Sequence, residues 1–214
     1  MLGRTHAVMG VAAALMILQP KKTEMIVAGG VAAMAGALFP DTDSGNSLAQ
    51  QGIQKVMGYI ISLTVITGLV MYGANKYGIE FSLGELGQLL SGEEAKTAII
   101  GIGGLLLTGI FGMRQKHRGI MHSLLMCAFT TVLCCVASLK LAPFFAVGYL
   151  SHLFLDCMNY QGIQLLYPLD KKYSMKLCKS NGAVNAAMFF IGILAVVFTA
   201  YLLITTPMPL GGVQ

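Results

Sequence analysis

Charged residues are scarce in this chain. Asp, Glu, Lys and Arg make up 11% of its 214 residues, less than half of the roughly 25% usual in a soluble domain. That shortage excludes an ordinary water-facing surface, and with 56% hydrophobic residues it describes a chain whose solvent is largely lipid. Cysteine is sparse as well. Cys127, Cys134, Cys135, Cys157 and Cys178 have no paired zinc-type spacing and mostly lie within apolar runs. A disulfide framework is therefore not expected, and the thiols serve as small hydrophobes in helix packing. No small-residue cleavage site follows the first apolar run, which leads from Arg4 into Gln19-Pro20-Lys21-Lys22, so this run is expected to stay in the mature protein. The glycine-rich stretches "AGGVAAMAG" and "GIGGLLLTGIFG" lack the strand and lysine of a phosphate-cradling loop. They suit close approach of membrane helices instead. The net charge of +5 fits anionic lipid headgroups. Its basic residues are scattered over the flanking loops, so nucleic acid is not an expected partner.

What the chain has in place of charge is apolar length. Residues 56–74, 97–113, 120–139 and 183–206 each reach the roughly 17–25 residues that a membrane-crossing helix needs. Three further runs, 7–18, 25–39 and 141–158, are shorter or interrupted, and runs of about 10–14 suit buried or re-entrant helices equally well. The expectation is an all-α, polytopic membrane helical bundle, a single domain over residues 1–214, with four full-length spans and up to seven embedded helices. The segment 75–96 holds four of the five glutamates and is expected at the far end of the bundle, with a short interfacial helix.

Following the crossings gathers the ionisable groups. His6 opens the first run, and the second run returns to Asp41 and Asp43 in "LFPDTDSGNS". The fourth run comes back to residues 114–118, which places His117 and His122 of "HRGIMHSLLM" on the same side. The sixth run returns through "GYLSHLFLD" with His152 and Asp156 late in it. All four histidines and three of the four aspartates thus fall toward one end. His152 and Asp156 are four apart and share a helix face. Ionisable groups at membrane depth are costly and usually face a bundle interior or polar cavity. A cluster of imidazoles and carboxylates relieves that cost by binding divalent cations. Imidazole suits zinc, iron or nickel, and carboxylate oxygens also suit manganese and magnesium.

The motifs "GRTH", "LFPDTDSGNS", "HRGIMHSLL", "GYLSHLFLD" and "QGIQLLYPL", in that order, resemble the YdjM-type bacterial membrane proteins. These are described as LexA-regulated, inner-membrane, metal-dependent hydrolases, distantly similar to zinc-dependent phospholipase C and single-strand nucleases. The resemblance covers residues 3 to about 169 and implies His6, Asp41, Asp43, His117, His122, His152 and Asp156 as metal ligands. Ser47 matches the serine that closes the aspartate motif. The chain departs from many relatives at Ser44, where they carry histidine.

The function expected from these features is membrane-embedded, metal-dependent hydrolysis of a phosphoester, with a phospholipid or an isoprenyl phosphate as candidate substrate. Seven ligands exceed the four of a closed zinc site. Two or more divalent ions are expected, zinc first, with manganese, iron or magnesium as alternatives. Asp43, Asp156 and Arg118 are the catalytic candidates. Arg118, with Arg4 as a second candidate, clamps phosphate oxygens through the guanidinium fork. The rivals are a scaffold in which metal only ties helices together, and a transporter using the cluster as an ion path. Against the transporter stand the lack of an internal repeat and of ionisable groups through the membrane depth. Serine chemistry is disfavoured, because Ser123 and Ser151 are helix neighbours of His122 and His152 and face away from them. The motif end carries nine basic residues (Arg4, Lys55, Arg114, Lys116, Arg118, Lys171, Lys172, Lys176, Lys179) against five opposite (Lys21, Lys22, Lys76, Lys96, Lys140). That excess assigns the motif end to the cytoplasm.

Overall fold

The computed structural model describes residues 1–45, 47–48, 50–56, 92–179 and 182–205. Among these the chain is all-helical. Its complete α-helices are α1 (Gly3–Leu18), α2 (Thr23–Leu38), α3 (Glu93–Gly112), α4 (Leu124–Ala137), α5 (Ala142–Cys157) and α6 (Ala183–Thr205). Two short 3₁₀ turns, Phe39–Asp43 and Ile120–His122, contain Asp41, Asp43 and His122, and residues 50–56 are helical too.

The helix ends follow from local chemistry. Gln19 takes a left-handed conformation (φ 43°) and closes α1 through its N–H to the Leu15 carbonyl. Pro20 cannot continue the helix, so the chain reverses into α2. Ser123 is extended and caps α4 by accepting from the Met126 N–H at 3.2 Å, a standard use of serine at a helix start. Pro143 sits in the first turn of α5, where its missing N–H costs nothing.

Helices α1, α2 and α5 form the centre, α6 packs on α1, and α3 packs on α4, which in turn meets α5. The closest approach is between α2 and α5. A Cβ on Gly148 would overlap the Ala33 carbonyl, and one on Gly36 would overlap the Phe145 carbonyl. Glycine at both positions lets the two backbones touch, the usual device for packing helices without a hydrophobic driving force. Val11, Ala14, Leu15, Ile26, Ala33 and Phe144 form one buried cluster, and Met121, Phe145, Tyr149, Leu153 and Ile163 belong to the other. Outward faces are apolar, as at Phe190, Leu194, Val197 and Phe198 of α6, each more than 60% exposed. In water such a face would be a liability; against lipid tails it is the expected surface.

Among the described residues three helical segments are long and apolar enough to cross a membrane: Thr23–Asp43, Glu93–Gly112 and Ala183–Thr205. The run at 25–39, expected to be short, reaches this length because the 3₁₀ turn extends it. The run at 120–139 goes the other way. Ser123 breaks it into a 3₁₀ turn and the 14-residue α4, which spans about 21 Å against a hydrocarbon core of about 30 Å. The expected span at 56–74 and the segment 75–91 lie outside the described residues, apart from Val56.

Candidate metal centre

At one end of the bundle the 3₁₀ turns do the positioning. Pro40, near the start of the turn Phe39–Asp43, has no N–H to offer α2, and the tightened backbone carries Asp41 and Asp43 toward the axis. Facing it, Arg118 adopts φ 65°, a conformation uncommon for a residue with a Cβ. Its N–H donates to Asp43 Oδ2 at 3.0 Å, and its carbonyl accepts from the Gln164 N–H at 3.2 Å. The two bonds hold the turn that presents His117 and His122. His6 comes from the first turns of α1, and His152 and Asp156 from the last turns of α5.

The structure brings all seven of these histidines and aspartates into one cluster. Asp41, Asp43, His117 and His122 form one group able to hold a metal ion, and His6, His152 and Asp156 form a second. The groups touch where His122 Nε2 lies 3.2 Å from His152 Nε2. The outer nitrogen of each ring identifies its tautomer. His152 Nδ1 is 2.7 Å from the Ala37 carbonyl, which only accepts, so Nδ1 carries the proton and Nε2 is bare. His122 Nδ1 is 3.2 Å from Asp43 Oδ2, which orients that ring in the same sense. Two nitrogen lone pairs so close repel unless a cation or proton lies between them.

The carboxylates complete the set. Asp41 Oδ1 is 3.6 Å from His122 Nε2 and 3.7 Å from His152 Nε2, while Asp156 Oδ2 is 3.6 and 3.9 Å from the same atoms. Donors around a tetrahedral ion with bonds of about 2.0–2.2 Å stand about 3.3–3.6 Å apart. The five separations here, 3.2–3.9 Å, lie near that spacing. A second sign is His6, fully buried and stacked on His152 at 3.8 Å between ring centroids. Its Nε2 is 3.3 Å from Asp156 Oδ1, yet neither ring nitrogen makes an aligned hydrogen bond. An orphaned buried polar group costs about 1–3 kcal/mol, which a cation at this position would offset. Without metal, a proton takes the central place. Burial alone would lower the pKa of His122, but Asp41 and Asp43 outweigh it and raise it to about 9.

Other candidates separate by position. Arg118 Nη2 is 3.6 Å from Asp156 Oδ2, so the guanidinium borders the cluster. Arg4 does not: it is exposed and lies over the Phe189 ring at 5.3 Å. A helical neighbour of His6 two positions away points elsewhere, which corrects the expectation of a second phosphate clamp. Ser47 accepts from the Gln50 N–H at 3.1 Å and starts the helical stretch that follows. Ser123 donates to the Ile120 carbonyl and caps α4, a structural role. None of the five cysteines forms a disulfide. Asp170 accepts from Gln164 on the surface at 3.2 Å.

Some contributors have no sequence signal. The Ala37 carbonyl that sets the His152 tautomer is one, because every residue has a carbonyl. Tyr149, whose hydroxyl donates to the Met121 carbonyl at 2.5 Å, fixes the turn before His122. Asn185, buried and accepting from the Leu2 N–H at 3.2 Å, was detectable as the lone amide in the run "AVNAAMFF". The Met1 amino group also reaches Asp156 Oδ1 at 2.9 Å.

A polar cleft of about 260 Å³ leads to the cluster, lined among others by Asp41, Ser44, Ser47, His117, Arg118 and Asp156. An apolar helical bundle with a buried imidazole–carboxylate cluster beneath such a cleft defines a membrane protein with a metal-binding-capable site. More particularly, the chain belongs to the YdjM inner membrane protein family, whose model matches residues 1–210. No curated protein and no solved structure matches it.

Proposed function

We propose that this inner-membrane protein is a multi-pass, metal-dependent phosphoester hydrolase. The observation that carries the proposal is the approach of the His122 and His152 Nε2 atoms to 3.2 Å, with carboxylate oxygens of Asp41 and Asp156 within 3.6–3.9 Å of both. These four residues would hold one divalent ion, zinc by its preference for imidazole with carboxylate. His6 and Asp156 Oδ1 offer a second position. A divalent ion there supplies Lewis acidity toward a phosphoryl oxygen and acidifies water.

The chain's own residues supply the rest. Asp43 aligns His122 and His117 through their Nδ1 atoms, at 3.2 and 2.7 Å, the carboxylate–histidine arrangement that fixes ring orientation around metals. With both oxygens so engaged, Asp43 acts on the cluster mainly through those rings. His117, its side chain 43% exposed, lines the cleft with Nδ1 on Asp43, which leaves Nε2 as its donor to a metal. Arg118, bordering Asp156, receives phosphate oxygens and opposes the charge that develops on them.

Purified protein is expected to contain one to two divalent ions per chain by elemental analysis. Uptake must displace the His122 proton, so affinity should rise with pH by about tenfold per unit, flattening above about 9. Folded protein that stays metal-free and takes up neither zinc nor manganese would exclude the hydrolase.

The site end is assigned to the cytoplasm, supported by the excess of basic residues there. Cysteine placed at exposed Lys172 should stay unmodified by an impermeant maleimide in intact cells and react after permeabilisation. Labelling in intact cells would reverse the orientation.

A further inference from the structure

Two cavities of opposite character meet beside the cluster. The polar cleft described above has Leu38 and Leu48 in its wall. The same two leucines line an apolar groove of about 510 Å³ that continues along Ala35, Gly52, Ile53 and Leu105 toward Leu141. That volume is within the range of small-molecule sites. From Leu38 back to Ala32 the groove follows α2 for about 9 Å, away from the site and along the apolar face. Among the described residues no lysine or arginine lines it, whereas the cleft has Arg118, His117, Asp41 and Asp156 in its wall. An anion is therefore favoured in the cleft and hydrocarbon in the groove, and Leu38 and Leu48 border both.

A second apolar groove of about 590 Å³ lies between α1, α5 and α6, lined by Met9, Met16, Leu150 and Phe154 among others. It shares no residue with the cleft. Apolar concavity alone is thus common on this molecule, and of these two grooves it is the first that shares lining residues with the cleft.

We propose that the groove beside α2 receives the hydrocarbon chain of a lipid phosphate whose headgroup occupies the cleft, an assignment that rests on the hydrolase proposal for its chemical outcome. Leu38 and Leu48 form the boundary between chain and headgroup. Gly52 and Ala35 set the room available to the chain. Gly52 lines the groove, and a Cβ there would meet no atom within 4 Å, so a larger side chain starts without a steric block.

The test uses purified protein in nanodiscs and a hexadecyl phosphate bearing a photoreactive diazirine near its chain terminus. Crosslinks should concentrate on groove residues of α2 and 52–56, and drop at least tenfold in Gly52→Phe. Labelling of the α1–α5–α6 groove and metal content should stay unchanged. Ala35→Leu provides the same test should Gly52→Phe fail to fold. The matching diazirine alcohol, lacking phosphate, should label the groove beside α2 at least tenfold less. Equal labelling by the alcohol, or labelling insensitive to both substitutions, would overturn the proposal. Inorganic phosphate that binds the cleft while the lipid leaves the groove unlabelled would identify a soluble substrate instead. Metal content separates the two proposals: a metal-free protein removes the hydrolase, while crosslinking alone decides the lipid path.

Discussion

Asp156→Ala is expected to strip the protein of metal and of turnover together. Asp156 is the hub of the cluster: Oδ1 faces His6 Nε2 at 3.3 Å and the Met1 amino group at 2.9 Å, and Oδ2 faces His122, His152 and Arg118 at 3.6–3.9 Å. Losing even an outer partner of a metal ligand costs about 10–100-fold in affinity, so losing a carboxylate that would itself bind should exceed about 100-fold. The substitution also leaves Arg118 buried without that negative charge, and breaking a buried ion pair costs about 3–5 kcal/mol. Asp156→Asn, which keeps the shape, separates the two effects. Both variants should be metal-poor by elemental analysis, with the asparagine protein the more stable to heat. Normal metal content in folded Asp156→Asn would remove this residue from the ligand set.

Arg118→Ala should do the opposite to metal and nearly the same to activity. The Arg118 backbone N–H, not its side chain, bonds to Asp43, so alanine retains that bond and the alignment of His117 and His122. The guanidinium is 8% exposed as part of the residue and borders the cleft, where its loss removes an oxyanion donor, worth about 10²–10³ in rate. Lysine keeps the charge but not the fork and should recover only part of that loss. Turnover of a phosphoester found by screening phospholipids and isoprenyl phosphates, measured beside metal content, checks the result. Wild-type turnover in both Arg118→Ala and Asp156→Ala would leave the cluster as a scaffold tying helices together.

The fold class was legible because apolar run length and periodicity are local properties. Six of the seven runs coincide with described helices, and the seventh, at 56–74, falls almost wholly outside the described residues. The failures have local causes that hydropathy cannot register. "GIMHSLL" is apolar enough to pass as uninterrupted helix, but Ser123 takes the capping conformation and splits it. Conversely, "FPDTD" resembles the end of a span, yet a 3₁₀ turn carries α2 through it. The cluster was legible because its histidines and aspartates recur at the ends of apolar runs, which meet once the helices pack side by side. Arg4 shows the limit of that logic: being at the correct end says nothing about which way a side chain points.

By itself the sequence determined that this is a lipid-solvated helical bundle and that its imidazoles and carboxylates collect at one end. Both follow from the free energy of placing residues in hydrocarbon, which depends on residue type and order alone. Only the tertiary structure decided what those groups are to one another. The contact of Gly36 and Gly148 with facing backbone brings the Ala37 carbonyl to His152. That carbonyl fixes a proton on Nδ1 and frees Nε2. Asp43 faces His117, His122 and the Arg118 N–H, and Asp156 faces His6, His122, His152 and Arg118, because of which donors happen to surround each. The meeting of the polar cleft with an apolar groove at Leu38 and Leu48 likewise joins segments distant in sequence. Tautomers, ion-pair partners and cavity connections are through-space properties, set by atoms that become neighbours only when the helices pack.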